Sequence, residues 1–257
     1  MYIESILRYA RERKFSLQDA AQTFLQVVVL RRLSAPQARF MGGTALVLGY
    51  GNPRFSEDVD LTQVSDLERL GPGLLKAKTE LEGWFGSPVI LRPPKTGGRT
   101  WRLTLRRGRS ESLSLHVDSQ PYRAYTMRPI VIEYPSIPPF VCEALELDEI
   151  LSEKIVAVAC RRYLGGRDLF DLWFHWLRSD AWADRKNSIL ELVTKKLRER
   201  SLKDDDFKRL LTTRLSENVS LNRARHEWKR YLPPDFQKAT VFSEIVTRCR
   251  LLTEIVS

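Results

Sequence analysis

Long hydrophobic runs are missing from this chain. Its most apolar stretches, such as "FLQVVVL", fall far short of the roughly 20 residues that a membrane-spanning helix needs. Cysteine is scarce. Cys142, Cys160 and Cys249 are widely spaced, odd in number and form no CxxC pair, which excludes a disulfide framework and a zinc ribbon. The three histidines, His116, His175 and His226, are too scattered for a metal-binding motif. No GxxxxGK[ST] occurs, and "GYG" at 49–51 does not make a dinucleotide fingerprint. The opening "MYIESILRYARERKF" interleaves charges with apolar residues, unlike a signal peptide. No repeat or low-complexity tract is visible. These absences lead to the expectation of a reduced, cytoplasmic protein that makes no use of a membrane.

What is present is length and positive charge. A chain of 257 residues can bury a real core, and 43% hydrophobic content suits a globular protein. Forty-two Lys and Arg against 32 Asp and Glu leave a net charge of +10. That excess attracts a polyanion, nucleic acid before an anionic membrane, because the basic stretches lack a long amphipathic partner face.

Residues 2–13 and 16–33 read as helices, the second opening at Ser16 with Asp19 three positions on. Short β-rich segments follow between 58 and 134: "DVDLT", "PVILR", "TWRLTLR", "SLSLHVD" and "PIVIEY". In the third and fourth, Trp101, Leu103 and Leu105, then Leu113, Leu115 and Val117, alternate with polar residues. The turn "RGRSE" makes these two a hairpin, and 66–85 a helix against the sheet. After the proline cluster "YPSIPPF" the pattern predicts helix throughout, with elements at 147–158, 168–178, 187–200, 204–216 and 240–256. The expected organisation is α/β: a small mixed sheet with flanking helices over 1–138, then a helical domain over 139–257.

Within "FMGGTALVLGYGNPRFSEDVDL", Asp58 and Asp60 stand at the head of an apolar strand and share one face of it. They read either as a solvated strand end or as a pair that holds a divalent cation, since two close carboxylates repel without positive charge between them. A second such pair, Asp204 and Asp206, suits the acidic start of a helix. The context of the first pair is different. Gly42, Gly43 and Thr44 open a helix whose small residues let phosphate oxygens approach backbone N–H groups. Asp118 ends the polar face of a later strand. Three carboxylates on neighbouring strands beside such a helix start make a phosphoryl-transfer site with bound metal.

Farther on, Lys154 lies on a helix with the apolar stripe Ile150, Leu151, Ile155 and Val158, near Arg161, Arg162 and the loop "GGR". It is a surface lysine or a point charge for a triphosphate. Asp168, Asp171 and His175 share one side of the following helix; Asp168 suits a cap or a site, and His175 a packed or solvated position. Arg92, Lys95, Arg99, Arg102, Arg106, Arg107 and Arg109 form a hairpin without an acidic residue, an expected RNA surface. Residues 222–231 are a second, where Trp228 and Tyr231 stack on bases or pack in a core. Ser56, two residues before Asp58, is a turn residue or a regulatory phosphosite.

The pattern of Gly43-Thr44, thirteen residues, Asp-Val-Asp and a distant strand aspartate resembles the DNA polymerase beta-like nucleotidyltransferase superfamily. Within it, "GGTAL…RFSEDVDL" and "LSEKIVAVACRRYLGGRDLFDLW" resemble the AbiEii/MenT group of toxins from bacterial toxin–antitoxin systems, over roughly residues 40–178. The resemblance implies a nucleotidyltransferase fold and transfer of a nucleoside monophosphate from an NTP, to a tRNA 3′ end in MenT-like relatives, with a cognate antitoxin as partner. Residue by residue it implies Mg²⁺ or Mn²⁺ on Asp58 and Asp60, with Asp118 third. It places Gly42, Gly43, Thr44 and Lys154 on the triphosphate, and Arg167, Asp168 and Asp171 in the second motif. Nucleotidylation of a protein or other phosphoryl acceptor, or a non-catalytic basic RNA-binding module, are the alternatives.

Overall fold

The computed structural model describes residues 2–33, 39–107 and 111–256, leaving aside the side chains of Arg107, Glu111 and Ala181. The chain divides into two compact units: Met1–Gly51 with Phe55–Leu145, and Asn52–Arg54 with Glu146–Ser257.

Among the described residues the first unit is a seven-stranded mixed sheet with four α-helices. Helices α1 (Tyr2–Arg13) and α2 (Leu17–Arg32) come first, and the Ser16 hydroxyl accepts the Asp19 N–H at 3.1 Å, as the N-cap pattern requires. Residues Ala20–Leu30 of α2 are all buried, so this helix runs through the core instead of lying on it. Then follow β1 (Arg39–Met41), α3 (Gly42–Gly49), β2 (Val59–Thr62), α4 (Gly71–Phe85), β3 (Val89–Arg92), β4 (Thr100–Arg107), β5 (Glu111–Ser119), β6 (Met127–Tyr134) and β7 (Ile137–Leu145). The strands lie in the order β3-β4-β5-β2-β1-β7-β6. Parallel pairing joins β2 to β5 and β1 to β7, and the other neighbours are antiparallel.

The alternation in β4 and β5 holds. Leu103, Leu105, Leu113, Leu115 and Val117 are buried, while Arg102, Arg106, Ser112 and Ser114 are exposed. Two strands lay outside the sequence reading. β1 is three residues long, too short for a periodic signal. β7 carries Pro138 and Pro139, which read as the end of the sheet. Both are exposed and sit at the start of the strand, where missing N–H groups cost little. The sheet therefore runs past residue 138, and the first unit ends at Leu145.

The second unit is helical: α5 (Leu147–Cys160), α6 (Gly166–Leu172) continuing as a π-helical turn over Trp173–Leu177, α7 (Lys186–Glu199), α8 (Asp204–Ser216), α9 (Asn218–Tyr231) and α10 (Ala239–Ile255). Its core gathers Leu151, Ile155, Phe170, Trp176, Phe207, Trp228 and Cys249. No helix is long and apolar enough to cross a membrane among the described residues.

α9 decides between the two alternatives for Trp228 and Tyr231. Trp228 is only 1% exposed, with its ring 5.1 Å from that of Phe242, and Tyr231 is also buried, so these aromatics pack and do not meet bases. Trp228→Ala should therefore cost about 3–5 kcal/mol, the range for deleting a large buried aromatic. Urea unfolding followed by fluorescence checks it, and a change under about 1 kcal/mol would contradict the packing described.

Candidate active site

The turn from β1 into α3 is built on glycine. Gly42 adopts φ 75°, the left-handed region that glycine reaches without strain. A Cβ there would also fall 2.0 Å from Asp60 Oδ2, so a side chain at 42 is excluded by contact as well as by conformation. The β1–β2 register sets Met41 opposite Asp60. The Thr44 hydroxyl donates to the Asp58 carbonyl oxygen. Gly42, Gly43 and Thr44 are buried. The first turn of α3 is thus fastened to the Asp-Val-Asp segment at both ends. The hydroxyl assigned to the triphosphate from sequence instead fixes the backbone of Asp58.

The third carboxylate falls where the alternation in β5 put it. In the parallel β2–β5 pair, Asp60 is the register partner of Asp118, and Val59 that of Val117. Val59 and Leu61 point into the core, which turns Asp60 to the polar face. Asp58, Asp60 and Asp118 are all half-buried. Asp118 accepts a hydrogen bond from the Thr100 hydroxyl, and His116 Nδ1 lies 3.2 Å from Asp58 Oδ1. Burial above all, then the charges of Asp60, Asp118 and Glu57, push the Asp58 carboxyl up to about 6 against the pull of His116. Negative charge is crowded here.

Among the described residues no three His, Cys, Asp or Glu side chains are arranged to hold a metal ion. The reason is local: Asp58 leans to His116 and Asp118 to Thr100. The donor chemistry nevertheless suits a hard divalent cation. The set is all oxygen, its members repel one another, and Gly42 leaves the space in which Asp60 sits.

The same polar face continues outward. Arg92 pairs in register with Arg102, and Arg102 with His116, so two arginines and a histidine stand in one row across β3, β4 and β5. Arg92, Arg102 and Arg106 are exposed. Arg99 is not a surface cation: its guanidinium donates to the carbonyls of Ser119, at 2.9 Å, and Val64, bracing the hairpin base. Arg109 and the side chain of Arg107 lie outside the described residues.

Lys154, Asp168 and Asp171 form a separate cluster inside the helical unit. Lys154 is 6% exposed, with Nζ 2.7 Å from Asp168 Oδ1 and 2.9 Å from Asp171 Oδ2. Arg161 donates to Asp168 Oδ2 at 2.6 Å. Arg54 clamps Asp171 through Nε at 2.5 Å and Nη2 at 2.8 Å, and Asn52 adds a bond at 2.9 Å. Burial favours protonated carboxyls, but Lys154 and Arg161 overturn that for Asp168, and Arg54 and Lys154 for Asp171, holding both below the usual range.

The structure gives each of these three residues a buried partner. Lys154 is the counter-ion of Asp168 and Asp171. Asp168 makes no cap bond to its helix and is paired with Lys154 and Arg161, and Asp171 is paired with Arg54 and Lys154. Arg167 lies with its guanidinium 5.2 Å from the Tyr231 ring centre and 3.7 Å from Glu227. His175 is packed: burial lowers it to about 4. Ser56 is 7% exposed, and its backbone carbonyl accepts a hydrogen bond from Gln26. Arg54 and Asn52 escaped the sequence reading although they stand in the quoted motif, because only a buried partner distinguishes such residues from loop polars.

A mixed sheet with Asp60 and Asp118 in register on its polar face, Asp58 just before the strand and a glycine turn beside them is the arrangement that the sequence leads us to expect of a nucleotidyltransferase. The chain belongs to the family described as "Nucleotidyl transferase AbiEii toxin, Type IV TA system", whose model matches residues 24–248. Among solved structures it is similar to MenT4, a nucleotidyltransferase toxin from Mycobacterium tuberculosis H37Rv (17% identity, TM-score 0.57, covering 99% of this chain and 89% of that one). It is also similar to JHP933 from Helicobacter pylori (18%, TM-score 0.51, 94% and 92%) and to a putative nucleotidyltransferase from H. pylori (18%, TM-score 0.53, 94% and 96%). No curated protein sequence matches the chain.

The crowded carboxylate makes a pH prediction. A carboxyl raised on folding destabilises the folded state where it is ionised, fully above about pH 6, and ceases to do so as pH falls toward the unfolded value near 4. Asp58→Asn removes that charge. Without metal, the variant should melt higher than wild type at pH 7, and the difference should shrink toward zero near pH 4. Melting curves across this range check it, and an equal difference at both ends would refute the crowding.

Proposed function

We propose that this transferase attaches a nucleoside monophosphate from an NTP to an RNA, with a tRNA 3′ end as the foremost acceptor, and that a cognate antitoxin restrains it. The observation that carries the reading is the register of Asp60 with Asp118, with Asp58 two residues earlier, on the polar face that bears Arg92, Arg102 and Arg106. Crowded carboxylates suit a divalent metal and a triphosphate, and an arginine row on the same face suits a polyanionic acceptor.

Asp58 and Asp60 would hold Mg²⁺ or Mn²⁺, with Asp118 as third ligand. Bound there, the ion supplies positive charge to the phosphate oxygens in the transition state. The acceptor hydroxyl oxygen forms a bond to the α-phosphorus, the bond to the β-phosphate oxygen breaks, and pyrophosphate leaves. Asp118 assists by drawing the hydroxyl proton, its orientation set by Thr100. Thr44 and Gly42 act through Asp58 and Asp60, by fixing where those two carboxylates stand. The exposed arginines bind the acceptor backbone, which sets affinity and leaves base choice to other contacts.

Two measurements test this. Incubation with labelled NTPs, Mg²⁺ and total tRNA should label RNA with wild-type protein and none with Asp60→Ala. Label on protein alone would favour the other acceptor class, and full RNA labelling by Asp58→Ala, Asp60→Ala would end the metal-site assignment. Separately, changing Arg92, Arg102 and Arg106 to Gln should weaken RNA binding and reduce the log–log salt slope by roughly 0.7 to 0.9 for each phosphate no longer neutralised. An unchanged slope and affinity would remove this face from the RNA surface.

A further inference from the structure

The loop after α5 presents an aromatic ring to solvent in the helical unit. Tyr163 is 45% exposed in a unit whose tryptophans Trp173, Trp176 and Trp228 are buried. The guanidinium carbon of Arg223, from α9, lies 3.4 Å from the centre of its ring, and that of Arg162 lies 5.1 Å away. Guanidinium planes close to a ring this way gain from the ring's π electrons and keep their N–H edges for an outside acceptor.

The loop is braced from below. Arg214 of α8 donates through Nη2 to the carbonyls of Arg161, at 3.2 Å, and Arg162, at 3.1 Å. Arg161 itself is anchored on the buried Asp168. The only acidic residue in the sequence of α9, Glu227, is turned onto the loop backbone, where Oε2 accepts the Gly166 N–H at 2.8 Å. With Leu221, Ala224, Trp228 and Tyr231 buried, the exposed side of α9 carries Arg223, Arg225, His226, Lys229 and Arg230 beside Val219 and Asn222. No carboxylate pairs with Arg162, Arg223 or Arg225 among the described residues.

We infer that Tyr163, with Arg162 and Arg223, forms a second RNA-binding patch on the helical unit, one that takes an unpaired nucleotide by stacking and its phosphates by the two guanidiniums. The inference deepens the RNA reading above and rests on it. Charge alone would serve an acidic protein surface equally. The exposed ring decides for nucleic acid, because every base has a flat π face to lay on such a platform and an acidic peptide has none. Three cations, Arg162, Arg214 and Arg223, also gather around one loop, and a polyanion relieves their repulsion.

Fluorescence anisotropy with a short unstructured RNA of mixed sequence, without NTP or metal, tests the patch. Tyr163→Ala should weaken binding about fivefold or more, while Tyr163→Phe keeps wild-type affinity. The double variant Arg162→Gln, Arg223→Gln should lower the log–log salt slope by about 1.4, from two single-strand phosphates at about 0.7 each. Circular dichroism melting confirms that these surface variants fold. Unchanged affinity and slope in all variants would overturn the patch. So would a neutral Tyr163→Ala combined with arginine-dependent binding of a polyglutamate peptide, which would mark a surface for acidic protein. Failure of transfer is separable: binding is read here without NTP or metal, so a dead transferase assay leaves this result standing.

Discussion

Parallel pairing of β2 with β5 sets Asp60 directly beside Asp118, and the surrounding active-site geometry depends on that register. A slip of one residue would turn Asp60 into the core and bring Leu61 out of it. The pairing is defended from both sides. Val59 and Leu61 on β2 and Val117 on β5 are buried in the core, and Gly42 at the entry to α3 yields its Cβ volume to the Asp60 carboxylate. The apolar side of the sheet specifies the register, and the polar side bears the crowding that results.

Charge is handled in opposite ways by the two units. The helical unit neutralises its buried acids within itself. Asp168 and Asp171 lie among Lys154, Arg54 and Arg161, and Lys196 lies among Glu149 and Glu153. Such networks contribute little net stability over apolar packing, but removing one member strands a buried charge. They fix the position of the short Asn52–Arg54 segment within that unit. The sheet unit instead keeps Asp58, Asp60 and Asp118 half-buried and Arg92, Arg102 and Arg106 exposed along the same polar face. Charge buried in the helical unit is matched internally, whereas charge on the sheet stands where a ligand can reach it.

Much of this was legible in one dimension. The alternation in 100–107 and 111–119 specified a hairpin with an apolar and a polar face, because side-chain direction in a strand follows position alone. Ser16 and Asp19 marked a helix start by a bond that spans three residues. The motifs at 42–61 and 151–173 together pointed to the family, since each gathers its small and charged residues within a short stretch of sequence. Each of these signals is local.

The assignments that changed depend on contacts between distant residues. The sequence determined that Asp60 and Asp118 each stand on the polar side of a strand, that the chain carries excess positive charge, and that its second half is helical. Only the tertiary structure decided that the Thr44 hydroxyl is spent on the Asp58 backbone and that Lys154 is buried between two aspartates. It also decided that Trp228 belongs to the core and Tyr163 to the surface. Residue type and spacing set which way a side chain leaves its own strand or helix. Whether a partner waits there depends on elements tens of residues away, as with Arg54 and Asp171, and no local pattern encodes that meeting.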